Sequence, residues 1–317
     1  MKHQYILHGW KLSYFTAKVR AYMRYKQFDF EDREMGAYDL MVRVPKKTGA
    51  SVMPVVQTKS GQWLQDTTEI IALLDSHHPS PPISTATPVQ EIASMLLEIW
   101  ADEFWIPSAM HYRWSYPENY GLFEHDAGKA LAPYAPRILK RKLVAYVAGK
   151  LKGYLPGVGV TPSQTDLIEQ WTNQNLDQLE AHFEQLPYLL GSQPTIADFA
   201  LVGPLQAHLN RDPASKRMLM DSRPNIQAWA TRVCEGERAA SPLSSEQAPA
   251  ETLAPLLQGL FNELIPQCLA IAEKANAFVS EHQKQSGEGL PRSIGEITFP
   301  TLDGEFTRLG TPYTLWM

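Results

Sequence analysis

The sequence predicts an α/β domain, then an all-α helical domain, then a C-terminal extension built from one helix and a β-hairpin. Three observations carry that reading. Short runs rich in β-formers alternate with helical signals over the first 78 residues or so. Helical periodicity dominates residues 89–235, and strand-type alternation returns only from residue 297. The chain has 317 residues, 44% of them hydrophobic, which is enough for a substantial core and favours two domains or one large one.

In the first domain, residues 4–10 read as a buried strand ending at a turn. Ser13 is a suitable N-cap for the following helix, where Phe15, Val19, Tyr22 and Met23 recur at helical spacing. Lys18, Arg20, Arg24 and Lys26 are expected to face water. Residues 28–32 alternate as a second strand, 52–57 form a third and 61–64 a fourth, after the turn at Lys59-Ser60-Gly61. Asp66-Thr67-Thr68-Glu69 opens a helix through Asp75, because Asp and Thr satisfy the free N–H groups of a first turn. The order is βαβ, a loop or short helix, then ββα. Residues 79–88 are a proline-rich linker.

The second domain, 89–235, is expected to hold helices at 89–106, 136–154, 162–185, 195–209 and 225–235. Thr195-Ile196-Ala197-Asp198 fits a capping box, which is a structural role. Trp105, His111, Tyr112, Arg113, Trp114 and Tyr116 crowd the end of its first helix, a spacing that more often marks core than pocket. Residues 239–249 read as a second linker. The extension, 236–317, is expected to contain a helix over 253–282, either continuous or broken at Pro266, and strands at 297–302 and 305–309 around the type I′ signal Asp303-Gly304. Its last residues, Pro312-Tyr313-Thr314-Leu315-Trp316-Met317, are too apolar for a solvated appendage, so it should pack back on the helical domain.

Several function classes fall away. With 29 Lys+Arg against 34 Asp+Glu the net charge is −5, and no long basic run marks a nucleic-acid binder. Two cysteines, Cys234 and Cys268, exclude a disulfide-stapled scaffold and a zinc site of the Cys-pair type. No secretory signal and no apolar run of the ~18–20 residues a bilayer needs are visible, so a cytoplasmic protein without a membrane partner is expected. His77-His78 lies in a proline-rich turn without carboxylates at ligand spacing, and no metal site is expected. A P-loop, a Gly-x-Gly-x-x-Gly turn and a Gly-x-Ser-x-Gly elbow are all absent.

What remains is Ser13 at one helix start, Met53-Pro54 entering a strand, and Asp66-Thr67 at another helix start. A helix N-terminus favours an anion, and a thiolate is one whose pKa falls when hydroxyl and N–H groups donate to it. With a cis Met53-Pro54 bond, the Met53 backbone would be free to pair with an extended ligand.

These residues resemble the cytosolic glutathione transferase superfamily. Leu12-Ser13-Tyr14-Phe15-Thr16-Ala17-Lys18-Val19-Arg20 is similar to its first-helix motif, and Val52-Met53-Pro54-Val55-Val56 to its cis-proline segment. Gln65-Asp66-Thr67-Thr68-Glu69-Ile70 resembles its γ-glutamyl-binding motif. Tyr188-Leu189-Leu190-Gly191 through Thr195-Ile196-Ala197-Asp198-Phe199, and Arg223-Pro224-Asn225-Ile226 to Trp229, resemble its helical-domain signatures.

The resemblance covers residues 4 to about 235 and implies a thioredoxin-like first domain in a bacterial-type member with a C-terminal extension. It implies a glutathione transferase that conjugates the glutathione thiol, as co-substrate, to a small apolar electrophile, as a cytoplasmic homodimer without a metal. Ser13 would stabilise the thiolate, and Tyr14, where the family often has Pro, is the alternative hydroxyl. Met53 and Pro54 would hold the cysteinyl part. Asp66 and Thr67 would hold the γ-glutamyl end, with Asp in place of the commoner Glu or Gln. Lys46 or Lys47 would meet the glycine carboxylate. Trp105, Tyr112, Arg113 and Tyr116 would flank the second substrate. A non-catalytic binding module on the same fold is the alternative function.

Overall fold

Strand β1 (Tyr5–Gly9) is buried from its second residue on, because it runs between two neighbours in a four-stranded sheet of order β2-β1-β3-β4. The computed structural model describes residues 2–85, 87–238, 248–285, 287, 289–301 and 304–315. Parallel to β1 lies β2 (Phe30–Glu34), paired Tyr5↔Phe30 to Gly9↔Glu34. It starts two residues later than expected because Phe28 still belongs to the return from helix α1 (Tyr14–Tyr25), its N–H bonded to the Met23 carbonyl at 3.0 Å. The charged sequence of β2 suits a sheet edge, where an unpaired backbone must be kept from other strands. Next comes a turn with the short helix α2 (Val44–Thr48). The antiparallel β3 (Val55–Thr58) and β4 (Trp63–Gln65) follow, and helix α3 (Thr67–His77) ends the unit.

Of the four basic residues of this segment expected to face water, Arg24 does so and the other three depart from expectation. Lys18 is fully buried, and Arg20 and Lys26 nearly so. Lys18 stands four residues from both Tyr14 and Tyr22, on the face that the helix buries. Its ammonium donates to Glu98 Oε1 at 2.7 Å and Asp102 Oδ2 at 2.5 Å. Burial alone would lower its pKa, but the two carboxylates outweigh it and the net shift is upward.

The helical unit begins with α4 (Pro88–Ile99), which passes through a π-helical turn, Trp100–Phe104, into α5 (Trp105–Ser115). This helical run outlasts the expected 89–106 because Pro107 is absorbed: the widened turn before it relieves the clash a proline makes with the preceding turn. Helix α6 (Tyr120–Leu131) was not expected at all; two glycines, Gly121 and Gly128, dilute its pattern. Then come α7 (Arg137–Gly153), α8 (Thr165–Gln185), α9 (Ile196–Pro204) with a π-helical turn to Leu209, α10 (Pro213–Ser215) and α11 (Pro224–Glu235). Thr195 and Asp198 form the capping box, and Asp198 also accepts from Trp229 Nε1 at 2.9 Å.

The extension adds α12 (Ala254–Glu281) and the hairpin β5 (Glu296–Thr301) and β6 (Gly304–Leu309). Pro266 does not break α12; Asn262, whose carbonyl it frees, is exposed to water. Gly304, expected in the turn, pairs with Thr301 as a strand residue, while Leu302 of the expected strand, Asp303 of the expected turn, Trp316, Met317 and most of the 239–249 linker lie outside the described residues. Leu256, Ile271, Phe299 and Phe306 of the extension share one continuous core with Leu7, Tyr22, Trp100 and Trp229. Among the described residues no helix is long and apolar enough to cross a membrane, and no group of three or more His, Cys, Asp or Glu could hold a metal.

Candidate functional site

The strand register gathers the candidate residues. His8 pairs with Val55, and Val55 with Gln65, so the end of β1, the start of β3 and the end of β4 share one edge of the sheet. Ser13 follows the first, Met53-Pro54 precedes the second, and Asp66-Thr67 follows the third. Two helix N-termini, those of α1 and α3, open at this edge and offer free N–H groups and positive potential.

Ser13 caps α1. Its Oγ accepts from the Thr16 N–H at 3.3 Å and from the Thr16 hydroxyl at 2.8 Å. Both contacts use the oxygen as acceptor, which leaves the Ser13 proton to donate outward. Gly9 makes this close turn: a Cβ there would lie 2.3 Å from the Thr16 methyl. Thr16 and Gly9 were not singled out from the sequence, although a glycine at a strand end before a helix is the available signal. Trp10 turns inward, donating from Nε1 to the Met35 carbonyl at 2.7 Å.

Tyr14 is placed differently. Its side chain is buried against Gly203, and its hydroxyl donates to the Ala101 carbonyl. Burial, with the Asp102 and Glu103 charges behind it, raises its pKa well above the ordinary phenol value. The phenol is thus committed to the domain interface.

The Met53–Pro54 peptide bond is cis, and Met53 is half-buried. Asp66 has a left-handed backbone, φ 69°, and caps α3: its Oδ1 accepts from the Thr68 N–H at 3.0 Å and the Glu69 N–H at 3.2 Å. Its other oxygen accepts from the hydroxyl of Tyr313, brought there by the extension. Thr67 is buried at the first position of α3. The Thr68 hydroxyl donates to Glu98 at 2.8 Å, tying this helix start to the Lys18 cluster. Burial pushes the Asp102 carboxyl up to about 6 against the pull of Lys18. Lys46 and Lys47 lie exposed on α2.

The residues expected to flank a second substrate sit elsewhere. Trp105 is fully buried, packed edge-on against Trp100 and Trp171. Tyr112 is buried and stacks on Tyr116, whose hydroxyl donates to Glu169 at 2.7 Å. Arg113 is buried on Asp212, with Nε to Oδ2 at 2.7 Å. Trp105, Tyr112 and Arg113 thus present no surface to a ligand; the periodicity of α5 aims them at α8 and the turn after α9. An apolar cavity of about 30 Å³ lies between Phe104, Pro107, Ile168, Trp171, Phe299 and Phe306. That is room for a water or two, against roughly 150 Å³ for a benzene-sized guest, so it is a packing gap. Cys234 and Cys268 are half-buried, and burial raises both thiols.

A four-stranded mixed sheet with a cis-proline at one end, joined to an all-helical unit, defines a two-domain thioredoxin-like class of fold. The chain belongs to the glutathione S-transferase superfamily. The profile described as "Glutathione S-transferase, N-terminal domain" matches residues 7–82, and that described as "Glutathione S-transferase, C-terminal domain" matches residues 164–237. Among solved structures, the chain is similar to the beta-etherase LigF from Sphingobium sp. strain SYK-6. The identity is 15% and the TM-score 0.51, over 80% of this chain and 99% of that one. A glutathione S-transferase from Rhodospirillum rubrum F11 matches with 16% identity and a TM-score of 0.47, over 80% and 99%. Comparison with curated proteins gives no match.

Proposed function

We propose that this protein is a glutathione transferase that transfers the glutathione thiol to a small apolar electrophile, working as a cytoplasmic homodimer. The observation that carries the reading is the convergence of Ser13, Met53-Pro54 and Asp66-Thr67 on one sheet edge below two helix N-termini. The division into 1–78, 89–235 and an extension from 236 belongs to the same proposal.

In this mechanism Asp66 and Thr67 take the γ-glutamyl end, the Met53 backbone pairs with the cysteinyl part, and Lys47 meets the glycine carboxylate. The Ser13 hydroxyl donates to the sulfur. Its proton and the positive end of α1 favour the thiolate, so more of the bound thiol is ionised near neutral pH. The thiolate forms the new carbon–sulfur bond as the leaving group departs with its electron pair, and holding the electrophile close supplies the rest of the acceleration.

The test is retention on immobilised glutathione together with turnover of a chlorinated dinitroaromatic. Ser13→Ala removes a hydrogen bond to a charged sulfur, about 1.5–3 kcal/mol, and should lower kcat/KM roughly 10- to 100-fold. Retention without turnover over a broad electrophile panel would favour the binding module. The homodimer draws support from two exposed apolar rows, Val89, Ile92 and Met95 on α4 and Phe261, Ile265 and Leu269 on α12. Sedimentation should show two copies; a monomer at micromolar concentration would count against it.

A further inference from the structure

We propose that Tyr313 completes the γ-glutamyl end of the tripeptide site, its phenolic oxygen joining the Asp66 carboxylate in accepting the α-ammonium group of glutathione. This rests on the reading of Asp66 as the γ-glutamyl anchor.

Asp66 spends one carboxylate oxygen on the backbone of its own helix, at Thr68 and Glu69. The other oxygen receives the Tyr313 proton. A tyrosine hydroxyl has one proton and acceptor capacity besides; with the proton committed to Asp66, only its lone pairs remain for a ligand. An ammonium group has three donors and no acceptor, so two adjacent oxygens with that polarity suit it. Burial and the Asp66 charge raise the Tyr313 pKa, so the hydroxyl keeps its proton at neutral pH.

The segment that carries Tyr313 is built into the fold. Pro312 and Thr314 on either side of it are buried, while the Tyr313 side chain itself remains 51% exposed. Thr314 hydrogen-bonds the Glu103 carboxylate, and the Arg308 guanidinium reaches the same residue. Gly310 is held to Gly295 by a backbone bond of 2.8 Å. These anchors keep the hydroxyl at the site and leave one side of the ring open to a ligand.

The test is calorimetry on the full chain with two probes, S-methylglutathione and the same peptide with glutaryl in place of γ-glutamyl, which lacks the ammonium. Wild type should prefer the first probe. Tyr313→Phe should reduce that preference about fivefold and leave affinity for the glutaryl peptide where it was, whereas a merely structural loss would weaken both. An undiminished preference in Tyr313→Phe, or tighter binding of S-methylglutathione, overturns the proposal. Asp66→Asn separates the two readings. Loss of preference there but not in Tyr313→Phe leaves Asp66 as anchor and removes Tyr313. No preference in wild type removes both.

Discussion

Arg113 uses all five of its N–H donors: two bonds to Asp212, two to the carbonyls of Leu12 and Ala207, and one to His208 Nε2. The bond to Leu12, at 2.9 Å, fastens the residue before Ser13 to the helical domain. Arg113→Ala would strand the Asp212 carboxylate in the interior, and a loss of about 3–5 kcal/mol in unfolding free energy is expected by denaturant titration. His208 must be neutral to accept from Arg113, with its Nδ1–H donating to the Ala109 carbonyl at 3.2 Å. Burial first, and the Arg113 charge second, hold its pKa well below the ordinary value. The unfolded chain therefore binds a proton there that the folded chain refuses, and this stability is lost as pH falls below about 6.5. His208→Gln keeps an acceptor but cannot titrate, so the stability advantage of wild type over this variant should shrink between pH 7.5 and pH 5.5. An advantage that grows on acidification would contradict the neutral assignment. Ser13, Asp66 and Thr67 were readable from sequence because cap residues announce helix starts. For Arg113 and Tyr112 the spacing favoured core, which is where they lie; the pocket role came from the resemblance alone, and only the orientation of α5 distinguishes the two.

At the scale of elements, one proline links the helical domain to the extension. Pro107 has no N–H to offer the Glu103 carbonyl one turn back, and Arg308 of β6 supplies the missing donor from Nη1 at 3.2 Å. The same guanidinium faces the Glu103 carboxylate at 3.4 Å. Arg308→Leu leaves both acceptors buried without it, and should cost about 1–3 kcal/mol. Faster hydrogen exchange in β5 and β6 would accompany that loss; an unchanged hairpin would show that Phe299 and Phe306 hold it alone. The strands and most helices were legible because their periods differ. The junction was not, since neither the π-helical turn before Pro107 nor its partner some two hundred residues later has a local signal. Helix α6 escaped for a related reason: its glycines weaken the propensity, and packing against α7 and the sheet unit makes good the difference.

Across the whole molecule, the core runs without a break from the sheet through the helical domain into α12 and the hairpin. The first two domains were legible because five short motifs stand in order. The helix and hairpin of the extension were legible from their periods, but its docking was legible only as apolar surface needing cover, and the contact of Tyr313 with Asp66 had no signature in either segment. Lys18 shows the same limit, since its spacing places it on the buried face of α1 and its partners come from another domain. Lys18→Met would leave Glu98 and Asp102 facing each other unneutralised, and should destabilise the interface by about 3–5 kcal/mol while the sheet and helices persist by circular dichroism. In the proposed reaction the sheet edge binds glutathione with its sulfur at Ser13. A crystal structure of the complex tests it most directly. The sulfur should lie within hydrogen-bond reach, about 3–3.5 Å, of the Ser13 hydroxyl, with the γ-glutamyl end at Asp66 and Thr67. A tripeptide bound away from this edge, or a sulfur turned from Ser13, would contradict the account.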